Sequence, residues 1–305
     1  MDNAILIAGP TASGKSSLAL SLARALDGVI INADSMQVYR ELRVLTARPS
    51  AAEEAAAPHR LYGIVSAAEP FSAGRWLDLA LAEAALARQA AQVPIIVGGT
   101  GLYFQALTEG MAEIPDISAQ ARAEAREKLE QLGSAGLHAV LGEIDPVMAE
   151  RLKPTDPQRI VRAYEVILST GTSLAEWQRR PASTPILPQP WRGFVLNWPR
   201  AELYSRCEQR LAAMLDQGAL DEVAALAAMD LDPALPAMKA LGVPELIRLS
   251  RGEIGREEAL AAAQQATRRY AKRQMTWFRN KMCAWNSLDA QDSERLSEII
   301  IPFIT

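Results

Sequence analysis

Residues 9–16 read Gly-Pro-Thr-Ala-Ser-Gly-Lys-Ser, and they sit between two regular elements. Upstream, Ala4–Ala8 is a short apolar run that ends at Gly9 and reads as a strand. Downstream, Leu18, Leu22 and Leu26 recur four apart, the spacing of a helix face. Strand, glycine loop, helix is the order in which a backbone can wrap an anion. Gly9 and Gly14 permit the tight turn, and the loop amides and the helix start point at the phosphate. Lys15 adds a mobile positive charge, and the Ser16 hydroxyl can bind Mg²⁺. The segment Gly9, Pro10, Thr11, Ala12, Ser13, Gly14, Lys15 and Ser16 is therefore expected to hold a di- or triphosphate group.

The elements that follow predict the fold class. Val29–Ile31 reads as a second strand, ending in Asn32-Ala33-Asp34-Ser35, and Leu61–Val65 as a third, weaker one. Ala73 to Ala91 is an Ala/Leu-rich helix. Val93–Val97 is a continuous apolar run closed by Gly98-Gly99, the pattern of a buried parallel strand. Alternating strands and helices predict an α/β fold, a parallel sheet flanked by helices. The character changes near residue 113: Arg122 to Leu132 reads as a charged helix, and Asp156 to Ser169 as another, with Asp156 as cap and Pro157 at its first position. Pro181 to Pro190 holds four prolines and is expected to be a loop. Gly193–Trp198 looks like a strand again. Residues 113–191 are thus expected to form a mainly helical insertion into a core made of 1–112 and 192–305.

Composition narrows the function classes. The net charge of −4 is unevenly spread: Ala259 to Leu288 holds no Asp or Glu, but does hold Arg268, Arg269, Lys272, Arg273, Arg279 and Lys281. A basic helix from about Glu257 to Cys283, with Tyr270, Trp277 and Phe278 among the cations, suits RNA backbone and base stacking. Two distant cysteines and two histidines, His59 and His138, offer no CxxC and no zinc set. A catalytic metal is expected to be a hard cation held by oxygen. No apolar run approaches the ~20 residues that span a bilayer, and no secretory signal is seen; a cytoplasmic protein without membrane partners is expected.

The phosphate loop names only the phosphates of its ligand. Nucleotide hydrolases usually add an acidic residue at a later strand end to hold the metal. Here the best buried strand ends in Val97-Gly98-Gly99-Thr100-Gly101, without a carboxylate, and the nearest strand-end acid is Asp34. A phosphate cradle with a single candidate carboxylate suits group transfer better than a switch driven by hydrolysis.

Six motifs occur in order: residues 9–16, Asp-Ser-x-Gln-Val-Tyr at 34–39, Pro-His-Arg-Leu at 58–61, Val-Gly-Gly-Thr-Gly-Leu-Tyr at 97–103, Asp-Pro-Gln-Arg-Ile-Val-Arg-Ala at 156–163, and Lys-Arg-Gln-x-Thr-Trp-Phe-Arg at 272–279. Together, over nearly the whole chain, they resemble the tRNA dimethylallyltransferase (IPP transferase) family. The resemblance implies a P-loop NTPase-like core. It implies a prenyltransferase that moves a dimethylallyl group from dimethylallyl diphosphate to the N6 amine of the adenosine just 3′ of the anticodon, position 37 of tRNAs reading codons that begin with U. Diphosphate is released, Mg²⁺ is the cofactor, and the usual form is a monomer.

The resemblance also assigns roles. Asp34 would act as general base on the adenine amine; capping the next helix or binding Mg²⁺ through water are the alternatives. Thr100 would contact the target nucleotide. Lys15 and Mg²⁺ on Ser16 would stabilise the leaving diphosphate, with His59 and Arg210 near it. Candidate tRNA contacts are Asp34, Ser35, Met36 and Gln37; Arg122; Gln158, Arg159, Ile160, Val161 and Arg162; and Lys239, Lys272, Arg273 and Arg279. Two departures stand out. Residues 41–49 lack an Ile-Gly-Thr that many members carry, and 238–243 keep the glycine but lack a following Tyr-Arg. The zinc-finger cysteines of some eukaryotic members are missing, which points to the bacterial form.

Overall fold

The computed structural model describes residues 4–182, 184–292 and 296–303. Two compact units divide the chain, one of Met1–Thr108 with Leu187–Thr305 and the other of Glu109–Ile186. Within each unit, hydrogen bonds that composition does not reveal tie the two chain crossings together. In the first unit, the Leu187 amide donates to the Leu107 carbonyl at 2.8 Å. In the second, the Met111 amide donates to Thr184 Oγ1 at 2.8 Å. The inserted unit therefore starts and ends a few residues before the 113–191 span read from composition.

The first unit is built on six parallel strands: β1 (Ala4–Ala8), β2 (Gly28–Asn32), β3 (His59–Arg60), β4 (Val93–Gly98), β5 (Trp191–Asn197) and β6 (Asn286–Asp289). Their order across the sheet is β3-β2-β4-β1-β5-β6. β1, β2 and β4 are buried along their whole length, as their unbroken apolar runs require. Ile5, Ile7, Ile30, Ile95, Val97, Phe194 and Leu196 form the centre of the core with Leu18 and Leu22. The expected third strand at Leu61–Val65 is not one. Leu61 (φ 64°) and Gly63 (φ 61°) are left-handed and break the extension, leaving the two-residue β3 and one isolated bridge from Tyr39 to Val65.

Helices α1 (Lys15–Leu26), α2 (Ala51–Ala56), α3 (Ala73–Gln89) and α4 (Gly101–Glu109) follow the first strands. The inserted unit contributes α5 (Ala119–Ile144), α6 (Pro146–Arg151), α7 (Pro157–Thr170) and α8 (Leu174–Trp177). The chain returns through α9 (Arg200–Asp216), α10 (Ala219–Ala227), α11 (Val243–Ser250), α12 (Arg256–Lys281) and α13 (Leu296–Ile300). From β1 the chain crosses β4 to reach β2, whereas after β4 it passes to β5 on the far side of β1. The connections after two adjacent strands thus leave in opposite directions, and the crevice at their carboxyl ends is where such sheets bind ligands.

In the inserted unit, α5 and α7 pack over Ala121, Ala125, Leu137, Leu141, Ile160, Ala163 and Tyr164. The α5 helix bends at Gly133, whose φ of 67° interrupts it. Asp156 caps α7 by accepting from the Arg159 amide, and Pro157 takes the first turn, as the sequence predicts.

Candidate active site

The glycine loop leaves the carboxyl end of β1 and enters α1 through two left-handed residues, Ala12 (φ 64°) and Gly14 (φ 88°). Among the described residues no side chain caps α1. Its first amides are therefore left for an anion, where the helix dipole also favours negative charge. The loop carbonyls are occupied. The Trp198 indole donates to the Ser13 carbonyl at 2.9 Å, Arg206 Nε to the Ala12 carbonyl at 2.9 Å, and Lys15 Nζ to the Pro10 carbonyl at 3.2 Å. Arg210 reaches the Thr11 hydroxyl. Burial, helped by repulsion from Arg210, lowers the Lys15 pKa to about 8 against the opposing pull of Asp34. Burial also lowers the Arg210 pKa.

This loop floors a cavity of about 780 Å³, whose walls include Arg43, Arg48, Arg206 and Arg210. Arg43, Arg48 and Arg206 carried no signal in the sequence. Two of them lie in 41–49, the stretch that departs from the family pattern. Their side chains are held by the protein: Arg43 by the Pro49 carbonyl at 2.6 Å and Glu54 at 3.0 Å, and Arg48 by the Tyr39 and Arg40 carbonyls at 3.2 Å. His59 is absent from these walls. Its Nδ1 lies 2.8 Å from the Ala57 carbonyl, and its ring packs edge-on to Tyr62.

Asp34 is set by a fully buried asparagine at the end of β2. Asn32 Oδ1 accepts from the Asp34 amide at 2.8 Å, and Asn32 Nδ2 donates to the carbonyls of Asp34 (3.0 Å) and Leu61 (3.1 Å). The Asn32 carbonyl accepts from the Trp76 indole at 2.7 Å. Asp34 Oδ1 then accepts from the Met36 amide at 2.9 Å, so this carboxylate caps a turn rather than a helix. Its Oδ2 accepts no hydrogen bond among the described residues. The charge of Asp34 is felt by Lys15, Arg210, Tyr62, Tyr103 and Tyr270. All three phenols are pushed up, first by burial and next by this carboxylate.

The end of β4 closes against the same turn. A Cβ at Gly98 would collide with the Ala33 backbone, and one at Gly99 would lie 3.4 Å from Asp34 Oδ2. Thr100 Oγ1 accepts from the Ser35 amide at 3.0 Å and lies 3.3 Å from the Ser35 hydroxyl. Thr100 is thereby fixed beside the Asp34 turn. The group can bind a diphosphate, neutralise its growing charge and accept a proton nearby.

The candidate RNA contacts divide into three kinds. Arg122, Gln158, Arg159, Arg162, Lys239, Lys272, Arg273 and Arg279 are exposed. Among the described residues Arg159 and Arg162 carry only local ion pairs, to Asp156 at 3.5 Å and Glu165 at 3.7 Å. Met36 and Val161 are half-buried, each packed against an apolar cluster. One call is corrected. Ile160 is 0 % exposed inside the inserted unit's core, because the apolar stripe of α7 faces inward there. Gln37 is half-buried; its Nε2 donates to the Thr46 and Ala47 carbonyls, at 2.8 and 2.9 Å, and braces the arginine-bearing loop. On α12, Arg268 is neutralised by Glu208 of α9, a partner the local sequence hides. Lys272, Arg273 and Arg279 have no ion-pair partner among the described residues, and Lys272 and Arg279 border a cavity of about 630 Å³ with Arg200 and Trp285.

Comparison with known proteins agrees across sequence and structure. The family model described as IPP transferase matches residues 37–281, and one described as isopentenyl transferase matches 2–68. A tRNA dimethylallyltransferase of Rhodospirillum rubrum is 58% identical over 278 residues, covering 91% of this chain and 85% of the relative. That of Parvibaculum lavamentivorans is 52% identical, covering 99% and 95%. A tRNA isopentenylpyrophosphate transferase of Bacillus halodurans superposes with a TM-score of 0.70 at 32% identity, covering 100% of this chain and 96% of that one. A eukaryotic dimethylallyltransferase studied acting on tRNA gives 0.79 at 26% identity, covering 96% and 75%. The phosphate loop, the Asp34 turn and the Gly-Gly-Thr strand end thus stand in a chain that belongs to the IPP transferase family.

Proposed function

We propose that this protein moves a dimethylallyl group from dimethylallyl diphosphate to the N6 amine of the adenosine 3′ of the anticodon, position 37, in tRNAs reading codons that begin with U. The observation that carries this reading is the free Oδ2 of Asp34, held between the phosphate loop and the Gly98-Gly99-Thr100 strand end. A base beside a leaving-group cradle is what transfer to a weakly nucleophilic amine requires.

The loop amides, Lys15 and Arg210 bind the diphosphate, supported by the guanidinium groups of Arg43, Arg48 and Arg206. As the allylic C–O bond breaks, its electron pair passes to the diphosphate, whose added charge these cations offset. The N6 lone pair forms the new C–N bond, and the N6 proton goes to Asp34. Thr100 orients the incoming nucleotide. The target base leaves its stack to enter the pocket, and water is excluded from the allylic cation.

Mg²⁺ fits the donors present. Among the described residues no cluster of three His, Cys, Asp or Glu exists to form an all-protein cage. The exposed Ser16 hydroxyl and Asp34 offer hard oxygens beside a diphosphate, the mixed set that this ion accepts. When bound through Ser16, it would add charge neutralisation on the leaving oxygens.

Arg122, Gln158, Arg159, Arg162, Lys239, Lys272, Arg273 and Arg279 are the proposed tRNA contacts, in a cytoplasmic monomer. Labelled dimethylallyl diphosphate offered separately with unmodified tRNA and with AMP tests the reading. Label is expected in tRNA alone; labelling of AMP alone, or ATP consumption with a small acceptor and no prenyl transfer, overturns it.

A further inference from the structure

The basic helix α12 has an inner face that neither the phosphate loop nor the RNA contacts account for. Gln274 is 5 % exposed, unusual for a long amide, since burying it costs free energy unless both of its ends are bonded. Both are. Its Oε1 accepts from the Thr11 amide at 2.8 Å, 263 residues away in sequence. Its Nε2 donates to the Gly99 carbonyl at 2.8 Å, 175 residues away.

These two partners belong to the two halves of the proposed reaction. Thr11 lies in the phosphate loop, and its hydroxyl is also gripped by Arg210. Gly99 precedes Thr100 and faces Asp34 Oδ2. The neighbours of Gln274 on the same helix face continue the pattern. Tyr270, one turn earlier, faces Thr100, and Trp277, one turn later, lies against Gly101, where a Cβ would collide with its ring. Lys272, Arg273 and Arg279 occupy the exposed side of the same helix.

We propose that Gln274 is a positioning residue that sets the separation between the diphosphate loop and the Asp34–Thr100 turn. A single amide spans the loops after β1 and β4, with its acceptor toward one and its donor toward the other. Its geometry fixes where the donor carbon stands relative to the adenine amine. A displacement of about 1 Å in such a pair costs on the order of 10²-fold in rate. The role rests on the proposed transfer reaction, but its arm on Thr11 can be read without it.

Two variants test this. Gln274→Met keeps the volume and removes both bonds; Gln274→Asn keeps the amide but is one methylene too short to hold both partners. For transfer to tRNA, kcat is expected to fall about 100-fold in Gln274→Met and about tenfold in Gln274→Asn, with the tRNA Kd within threefold of wild type. A residue that only fills space would move the melting temperature and not grade kcat in this order. Either folded variant transferring within threefold of wild type, or losing rate only through tRNA affinity, overturns the proposal. If Gln274→Met does not fold, Gln274→Asn decides alone. Inorganic pyrophosphate binding with Mg²⁺ supplies the reading that needs no tRNA. Loss of the Thr11 bond should weaken it about fivefold in Gln274→Met, the scale of one hydrogen bond. Unchanged pyrophosphate affinity overturns the proposal even where wild-type protein proves inactive on tRNA, a result that would instead sink the proposed function.

Discussion

The phosphate cradle and the first turn of α7 are both polar, and both were expected to touch substrate, yet they are built in opposite ways. Around the cradle, Trp198, Arg206 and Arg210 are held by bonds to residues more than 180 positions away in sequence. At α7, Arg159 and Arg162 pair, among the described residues, only with acids three residues off, and both are exposed. A group that must meet a developing charge at a fixed place has to be preorganised by the fold. A group that meets an RNA phosphate can stay mobile, because the contact is long-ranged and tolerant.

The contrast is broken most severely at Asp34. Asp34→Ala is expected to lower single-turnover transfer by about 10²–10⁴-fold, with tRNA binding near normal. Filter binding beside a rapid-quench assay checks both, and full transfer in this variant would remove the general-base role. Ile160→Ala probes the other region at its core rather than its surface. It should destabilise the inserted unit by about 2–5 kcal/mol, read by denaturant unfolding. Tighter or weaker tRNA binding without that loss of stability would return Ile160 to the RNA surface.

Lys15 makes a pH prediction in the free enzyme. Its pKa is lowered to about 8, so it carries its charge below that pH and loses it above. The value of kcat/KM for dimethylallyl diphosphate should therefore hold below pH 8 and fall above it, approaching tenfold per pH unit. A profile flat to pH 10 would show that Lys15 does not need its proton. The smallest effect is expected on the mobile side. Lys272→Ala or Arg159→Ala should weaken tRNA binding a few-fold and reduce the slope of log K against log salt by about one, leaving kcat unchanged. An unaltered salt slope would count that side chain out as a phosphate contact.

The loop 9–16, the Asp34 turn and the Gly98-Gly99-Thr100 strand end were legible in the sequence because each is local. A glycine at a required turn, a lysine at a helix start and a carboxylate at a strand end declare themselves within a few residues. The start of α7 at Asp156 and Pro157, and the buried β4, were readable for the same reason. The charge of α12 was legible as well, but not its neutralisation at Arg268, whose partner Glu208 lies on another helix.

Other features depended on where distant segments meet. Pairing of Ile7 with Phe194 joins β1 to β5 across the whole inserted unit, which no periodicity announces. Arg43, Arg48 and Arg206 reach the cavity only because the 41–49 loop and α9 fold beside the phosphate loop. Ile160 sits inside a motif that suggested RNA contact, yet packing in the inserted unit's core turns it inward. Local backbone preferences act within a turn or two of chain. Burial and long-range hydrogen bonds exist only once the chain has closed on itself. The sequence alone therefore determined the glycine loop and the strand-end acid, and the tertiary structure decided which cations surround them and which side chains remain free to meet a substrate.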